Sequence, residues 1–296
     1  MTPPHRGHPA LSDDAMRVAV IAGSGRLPEL VAETLAAAGR KPFVVLVGGE
    51  AEATGSLTIH DHATVLLEHF GDLVPVLKRN KVTHAVLAGG VARRPRWRQV
   101  RPSLGLLTFL PSAIAALARG DDALLKAVIA HLEKNGIAVI GAHELVPDLL
   151  AAPGAMTRLK PTARDRRDIE AAWEAARAIG ALDIGQAAVA IGGRVVALEG
   201  IEGTDGLLER VKALRGHGRI AGATGGVLVK CAKQGQEARA DLPSIGPATV
   251  DAAHAAGLAG IALEAGRSLV LDRMATVAWA DAAGLFIFGL PESETK

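Results

Sequence analysis

The sequence predicts an α/β protein of two domains. The first is an N-terminal Rossmann-like parallel sheet, the second a mixed α/β domain, and the active site is expected between them. Three observations carry this expectation. Short apolar, β-branched runs alternate with helical patterns, and most runs end in a glycine turn, as parallel strands with crossover helices do. Between about residues 146 and 167 the alternation gives way to Pro147, Pro153, Gly154, Pro161 and a basic run. At 296 residues and 49% apolar content, the chain is long enough for two cores. We therefore expect a leader at 1–15, an N-terminal domain at 16–150, a linker at 151–167 and a C-terminal catalytic domain at 168–296.

Residues 1–15 carry Pro3, Pro4, Arg6 and two histidines without an apolar stretch. They read as a disordered leader rather than a signal peptide, with Met16 an alternative start. Residues 17–22 (RVAVIA) read as a strand, Gly23-Ser24-Gly25-Arg26-Leu27-Pro28 as a turn, and ELVAETLAAAG as a helix, the opening of a Rossmann-like unit. Strands are expected again at 42–47, 84–88 and 137–140, each followed by a glycine turn, so ligands belong at the carboxyl edge of this sheet. The pattern Gly-x-Gly-x-x-Pro lacks the third glycine of the dinucleotide fingerprint, but Glu50 stands at the spacing of a ribose-binding acid. A nicotinamide- or flavin-dependent oxidoreductase therefore stays open as a rival reading.

Arg93, Arg94, Arg96, Arg98 and Arg101 surround Trp97. Such a patch suits nucleic acid, an anionic membrane surface or a lipid diphosphate, and equally a solvated loop. His60, His62 and His69 lie near Asp61 and Glu68, but nothing around them supplies the setting of a metal site, so 60–69 reads as a solvated loop and helix face. Gly120-Asp121-Asp122 opens the helix DALLKAVIAHLEKNG, which Gly136 stops. One carboxylate suffices for a cap, and two are present.

Further on, a helix is expected at 168–179 and a hairpin at 187–191 and 194–199 around Gly192-Gly193. Glu199-Gly200-Ile201-Glu202-Gly203-Thr204-Asp205 then leads into the helix GLLERVKAL. Thr204 or Asp205 can cap that helix, which leaves Glu202 for another task. Strands at 260–263, 269–271 and 285–288 complete the second domain.

Thirty-three Lys and Arg against 31 Asp and Glu give a net charge of +2, which excludes general nucleic-acid binding as the main task. The lone Cys231 excludes an internal disulfide and reads as a small buried hydrophobe. No run approaches the roughly 20 apolar residues of a membrane span. Aromatics make up 3% with no Tyr, so Ala, Val, Leu and Ile must fill the cores.

The densest chemistry lies at 228–246, LVKCAKQGQEARADLPSIG. A short apolar strand opens into a loop with Lys230, Lys233, Gln236, Glu237, Arg239 and Asp241, and Gly246-Pro247 starts an alanine-rich helix that ends at Gly257. Cations and carboxylates beside a helix N-terminus make a place for phosphate, with or without a metal; mixed charge of this kind also occurs in plain solvated loops.

Lys230-x-x-Lys233-x-x-Gln236-Glu237-x-Arg239-x-Asp241-x-Pro243-x-Ile245-Gly246 resembles the signature of the LpxI-type UDP-2,3-diacylglucosamine pyrophosphatases of lipid A biosynthesis. Gln234 stands where that family has Pro, and Ser244 where it usually has Thr. The likeness runs through most of the chain from Met16 and includes Gly120-Asp121-Asp122-Ala123-Leu124-Leu125 and the stretch 199–205. It implies hydrolysis of UDP-2,3-diacylglucosamine to UMP and 2,3-diacylglucosamine 1-phosphate by a cytoplasmic enzyme that meets its lipid at the inner-membrane surface. Mg²⁺ is the implied cofactor, and nucleic acid is not a partner. Asp241 is then metal ligand or water-orienting base and Glu237 a further ligand. Lys233 and Arg239 clamp phosphate, and Glu202, Asp205 and Asp122 are further catalytic carboxylates. Gly23, Gly25, Leu27, Pro28, Gly90, Arg94, Asp121, Lys230, Gln236, Ser244 and Gly246 are the implied substrate contacts. A non-catalytic nucleotide-sugar or lipid-binding module is the alternative outside enzymes.

Overall fold

The computed structural model describes residues 16–93, 109, 121–220 and 223–291. These form two compact units. Unit 1 holds the described residues up to Pro147 together with Glu237–Asp241, and unit 2 holds Asp148–Gln236 and the residues from Leu242 onward.

Unit 1 carries strands β1 (Val18–Ala22), β2 (Phe43–Gly48), β3 (His62–Leu66), β4 (His84–Ala88) and β5 (Ala138–Val139). Its helices are α1 (Leu27–Ala37), α2 (Gly55–Thr58), α3 (Leu73–Arg79), α4 (Asp121–Lys134) and α5 (Ala142–Leu145). The five strands are parallel in the order β3-β2-β1-β4-β5. The chain winds outward one way from β1 and returns on the other side with β4, so the point where ligands bind in such sheets lies at the carboxyl ends of β1 and β4. Both faces are covered, which explains why the strands read as continuous apolar runs. Ala19, Ile21, Phe43 and Val45 pack on one side with Leu77, Ile129 and Leu132. Val18, Val20, Val44 and Leu46 pack on the other with Val31, Leu35 and Ala142.

One element of this sheet departs from expectation. Residues 60–69, read as loop and helix face, contain the edge strand β3, paired in parallel with β2. Within β3 only Val65 is buried, so the apolar signal of a strand is missing.

Unit 2 carries β6 (Gly154–Ala155), β7 (Ala187–Ile191), β8 (Arg194–Leu198), β9 (Val227–Lys230), β10 (Ser244–Ile245), β11 (Gly260–Glu264), β12 (Leu269–Val270) and β13 (Phe286–Leu290). Its helices are α6 (Ala163–Ala181), α7 (Gly203–Leu214), α8 (Pro247–Ala255) and α9 (Arg273–Ala283). A mixed sheet runs in the order β6-β13-β11-β9-β7-β8, and β10 and β12 form a separate parallel pair. α6 lays Ile169, Ala172, Trp173 and Ala176 on one face, against Ala188, Val227, Val229 and Ala262. Leu207, Leu208, Val211, Val250 and Ala253 cover the other, against Val189, Leu228, Ile261 and Leu263. Alternate residues of β9 thus serve opposite cores, as the pleat requires.

The stretch 151–167 contributes structure of its own: β6 pairs with β13, and α6 begins at Ala163 rather than 168. Thr162 caps that helix, its hydroxyl accepting the Asp165 N–H while the Asp165 carboxylate takes the Thr162 N–H at 2.8 Å. Among the described residues no helix is long and apolar enough to cross a membrane.

Candidate active site

In unit 2, β9 lies between β11 and β7, so it delivers Lys230 to the carboxyl edge of the sheet with the side chain only 6% exposed. The ammonium donates to the Ser244 carbonyl at 2.9 Å and so ties the end of β9 to β10. The loop that follows is held by its amides. The Ala232 N–H reaches Glu264 Oε2 at 2.9 Å at the end of β11, and the Lys233 N–H reaches Gln236 Oε1 at 2.8 Å. Gln236 is buried and closes the turn, while the Lys233 ammonium pairs with Asp183 at 2.6 Å. Cys231 is buried as expected, and burial pushes its thiol up to about 12.

β8 runs in the same direction as β9, so the stretch after it emerges at the same edge. There the buried Glu199 accepts from the Thr204 hydroxyl at 2.7 Å and from the Gln186 N–H at 2.8 Å. Glu202 occupies the cap position of α7 without capping it through its side chain, and its carboxylate pairs with Arg210 at 2.6 Å. Asp205 is exposed in the first turn of α7. Gly246 stands at the start of α8. Unit 2 therefore gathers Lys230, Lys233, Gln236, Ser244, Glu202 and Asp205 toward one sheet edge.

Glu237, Arg239 and Asp241 belong to unit 1, where their segment is held on α4. Asp122 Oδ1 accepts the Glu237 N–H at 2.9 Å, Glu133 Oε1 accepts from Arg239 Nη1 at 2.6 Å, and Ala240 packs against the same core as Val128 of α4. Asp122 Oδ2 pairs with Lys126 at 2.6 Å. Both oxygens of Glu237 accept from Arg239, Oε1 from Nε at 2.9 Å and Oε2 from Nη2 at 2.9 Å. These hydrogen bonds hold the Glu237 carboxyl below its ordinary range and raise the Arg239 guanidinium above its own. Glu237, expected as a metal ligand, pairs through both oxygens with Arg239, and three of the five Arg239 N–H donors are engaged within this cluster. Asp241 is half-buried, its N–H bonded to the Glu237 carbonyl at 3.0 Å.

The turns at the switch point of unit 1 are laced together. The Ser24 N–H donates to the Gly90 carbonyl at 2.8 Å and the Gly90 N–H to that of Ser24 at 3.0 Å. A Cβ on Gly23 would lie 2.3 Å from the Gly90 carbonyl oxygen, so only glycine allows this approach. Ser24, Gly25, Gly89 and Gly90 are exposed, whereas Leu27 and Pro28 pack inward as support for the turn. Glu50 accepts the Ala92 and Arg93 N–H groups at 2.9 and 3.0 Å, and Arg93 pairs with the buried Glu68. The acid that keeps a dinucleotide reading open is thus spent on the backbone after β4. Arg94, Pro95 and the patch through Arg101 lie outside the described residues, as does the side chain of Asp121.

Among the described residues no three His, Cys, Asp or Glu side chains gather as a metal-ligand set. The donor chemistry still fits a hard cation that keeps most of its water, which needs only one or two carboxylates.

Sequence reasoning missed Glu133, Glu264, Glu199 and Asp183 as supports of these residues. Glu264 carried a signal, an acid ending a buried apolar strand; Glu133 carried none, because it reads as the solvated face of a helix. Residues 17–149 match the LpxI N-terminal domain and residues 152–288 the LpxI C-terminal domain. The chain belongs to the LpxI family. A UDP-2,3-diacylglucosamine pyrophosphatase LpxI from Caulobacter vibrioides is 41% identical over 282 residues, covering 94% of this chain and 99% of the relative. In LpxI terms, the segment Glu237–Asp241 falls inside the C-terminal match and yet packs with the N-terminal unit.

Proposed function

We propose that this LpxI protein hydrolyses the pyrophosphate of UDP-2,3-diacylglucosamine, giving UMP and 2,3-diacylglucosamine 1-phosphate in lipid A biosynthesis. The observation that carries the reading is the intact run of Lys233, Glu237, Arg239 and Asp241 in a chain that resembles an LpxI pyrophosphatase over nearly its full length. Lys233 and Arg239 supply positive charge to the diphosphate, whose negative charge otherwise repels a nucleophile. Asp241 accepts a proton from the attacking water or holds that water in line with the phosphorus nearer the sugar. Glu237 keeps the Arg239 fork aimed, and Lys230 with Gln236 fixes the loop that presents Lys233. Asp241 would hold Mg²⁺, which would supply further charge neutralisation. Glu202 and Asp205 add negative charge at the same sheet edge as Lys233. The two acyl chains bring the enzyme to the cytoplasmic surface of the inner membrane.

Mass-spectrometric analysis of the purified protein with UDP-2,3-diacylglucosamine and Mg²⁺ tests the reading. UMP and the sugar 1-phosphate are expected; binding without UMP supports a non-catalytic module, and a tightly bound absorbing cofactor supports an oxidoreductase. Chelator treatment is expected to abolish turnover, and full turnover after it removes the metal role of Asp241.

A further inference from the structure

We propose that Asp122 and Glu133, at opposite ends of α4, are positioning residues that seat the segment Glu237–Asp241 and thereby set where the Asp241 carboxylate stands. The catalytic half of this inference rests on the function proposed above. Eleven positions separate the two acids on a helix that rises 1.5 Å per residue, so their backbones stand about 16 Å apart along its axis and their side chains reach the segment from either end of the helix. A strap anchored at two points keeps fewer conformations than one anchored once. Asp122 takes the first amide of the segment, and Glu133 takes the guanidinium in its middle. Ala240, between Arg239 and Asp241 in the chain, packs against the core. Glu237 adds rigidity from inside by holding Arg239 through two parallel hydrogen bonds, so the fork meets Glu133 in one orientation.

A purely structural role for Asp122 also has a physical basis. It sits in the first turn of α4 and pairs with Lys126 one turn on, both of which stabilise a helix start. That role predicts a change in melting temperature and none in the chemistry of bound substrate. Positioning predicts the opposite emphasis, because a small displacement of a reacting carboxylate lowers kcat far more than it weakens binding.

The experiment uses the full chain and the variants Asp122→Ala, Asp122→Asn and Glu133→Gln. Amide exchange followed by mass spectrometry reports seating, and kcat and KM with UDP-2,3-diacylglucosamine report its consequence. Asp122→Ala is expected to speed exchange across 237–241 but not in β9, and to lower kcat by about ten-fold or more with KM within about two-fold. Asp122→Asn keeps an acceptor oxygen for the Glu237 N–H and is expected to recover most of both losses. Glu133→Gln, half-exposed and safe for folding, is expected to show the same pattern more weakly. Exchange across 237–241 unchanged in Asp122→Ala and Glu133→Gln overturns the seating, and faster exchange with unchanged kcat overturns the positioning role. If Asp122→Ala does not fold, the asparagine and glutamine variants decide on the same readouts. A wild-type protein that produces no UMP overturns the proposed function instead, and the exchange measurements still decide the seating.

Discussion

Asp241 stands in a turn closed by the Glu237 carbonyl, six positions before the first residue of α8, so its carboxylate does not cap that helix. Its replacement by alanine is expected to lower kcat by a factor on the order of 10² or more with a modest change in KM, because a water-orienting group acts on the transition state. Glu209→Ala, an exposed carboxylate on α7, is the control and is expected to be near neutral. A large fall in melting temperature with Asp241→Ala would mark the residue as structural, and normal turnover would remove it from the mechanism. Cys231 makes the opposite case, a residue with reactive chemistry that the fold silences. Burial pushes the thiol up to about 12, and the nearby Glu264 carboxylate adds to the effect. The protein is expected to resist iodoacetamide at pH 8 until denatured, since the thiolate is the reactive form. Rapid labelling of the native protein would contradict this.

At the scale of elements, the segment Glu237–Asp241 carries a pH dependence whose direction follows from its ion pair. Hydrogen bonds from Arg239 lower the Glu237 carboxyl below its ordinary 4.5, with Lys126 adding charge nearby. A carboxyl depressed on folding contributes stability that is intact above its unfolded value and lost as pH falls through the folded one. Amide protection across 237–241, corrected for intrinsic exchange rates, is therefore expected to be constant from neutrality to pH 5 and to fall below 4.5; protection that instead weakens between pH 7 and 5 would point to another group.

The elements also show what was legible in the chain. The strands β1, β2, β4, β9 and β11 were readable because both of their faces are buried, which leaves an unbroken apolar run. β3 was not, since this edge strand exposes His62, Thr64 and Leu66 on one side of its pleat and buries only Val65 on the other. The start of α6 was written in Thr162-x-x-Asp165, but the prolines and charges around it read as a connection. Of the candidate site, residue types were readable and their partners were not. Nothing local tells that Glu237 faces Arg239, or that the Glu237 amide finds a carboxylate more than a hundred residues away.

For the whole molecule, the two LpxI matches meet between residues 149 and 152, which invites production of the halves as separate proteins. The segment Glu237–Asp241 makes that cut costly. A C-terminal piece starting near 150 carries Arg239 and Ala240 away from Glu133 and the core that Val128 of α4 also packs against, and it exposes in the N-terminal piece the carboxylate that receives the Glu237 amide. Such a piece is expected to be clipped by trypsin after Arg239 far faster than the intact chain, and adding the N-terminal piece is expected to slow the cleavage. Equal cleavage in all three samples would mean that the segment orders itself locally. A gene divided at the family boundary thus yields two products that share one interlocked tongue, and swapping one half between LpxI relatives means swapping its socket as well.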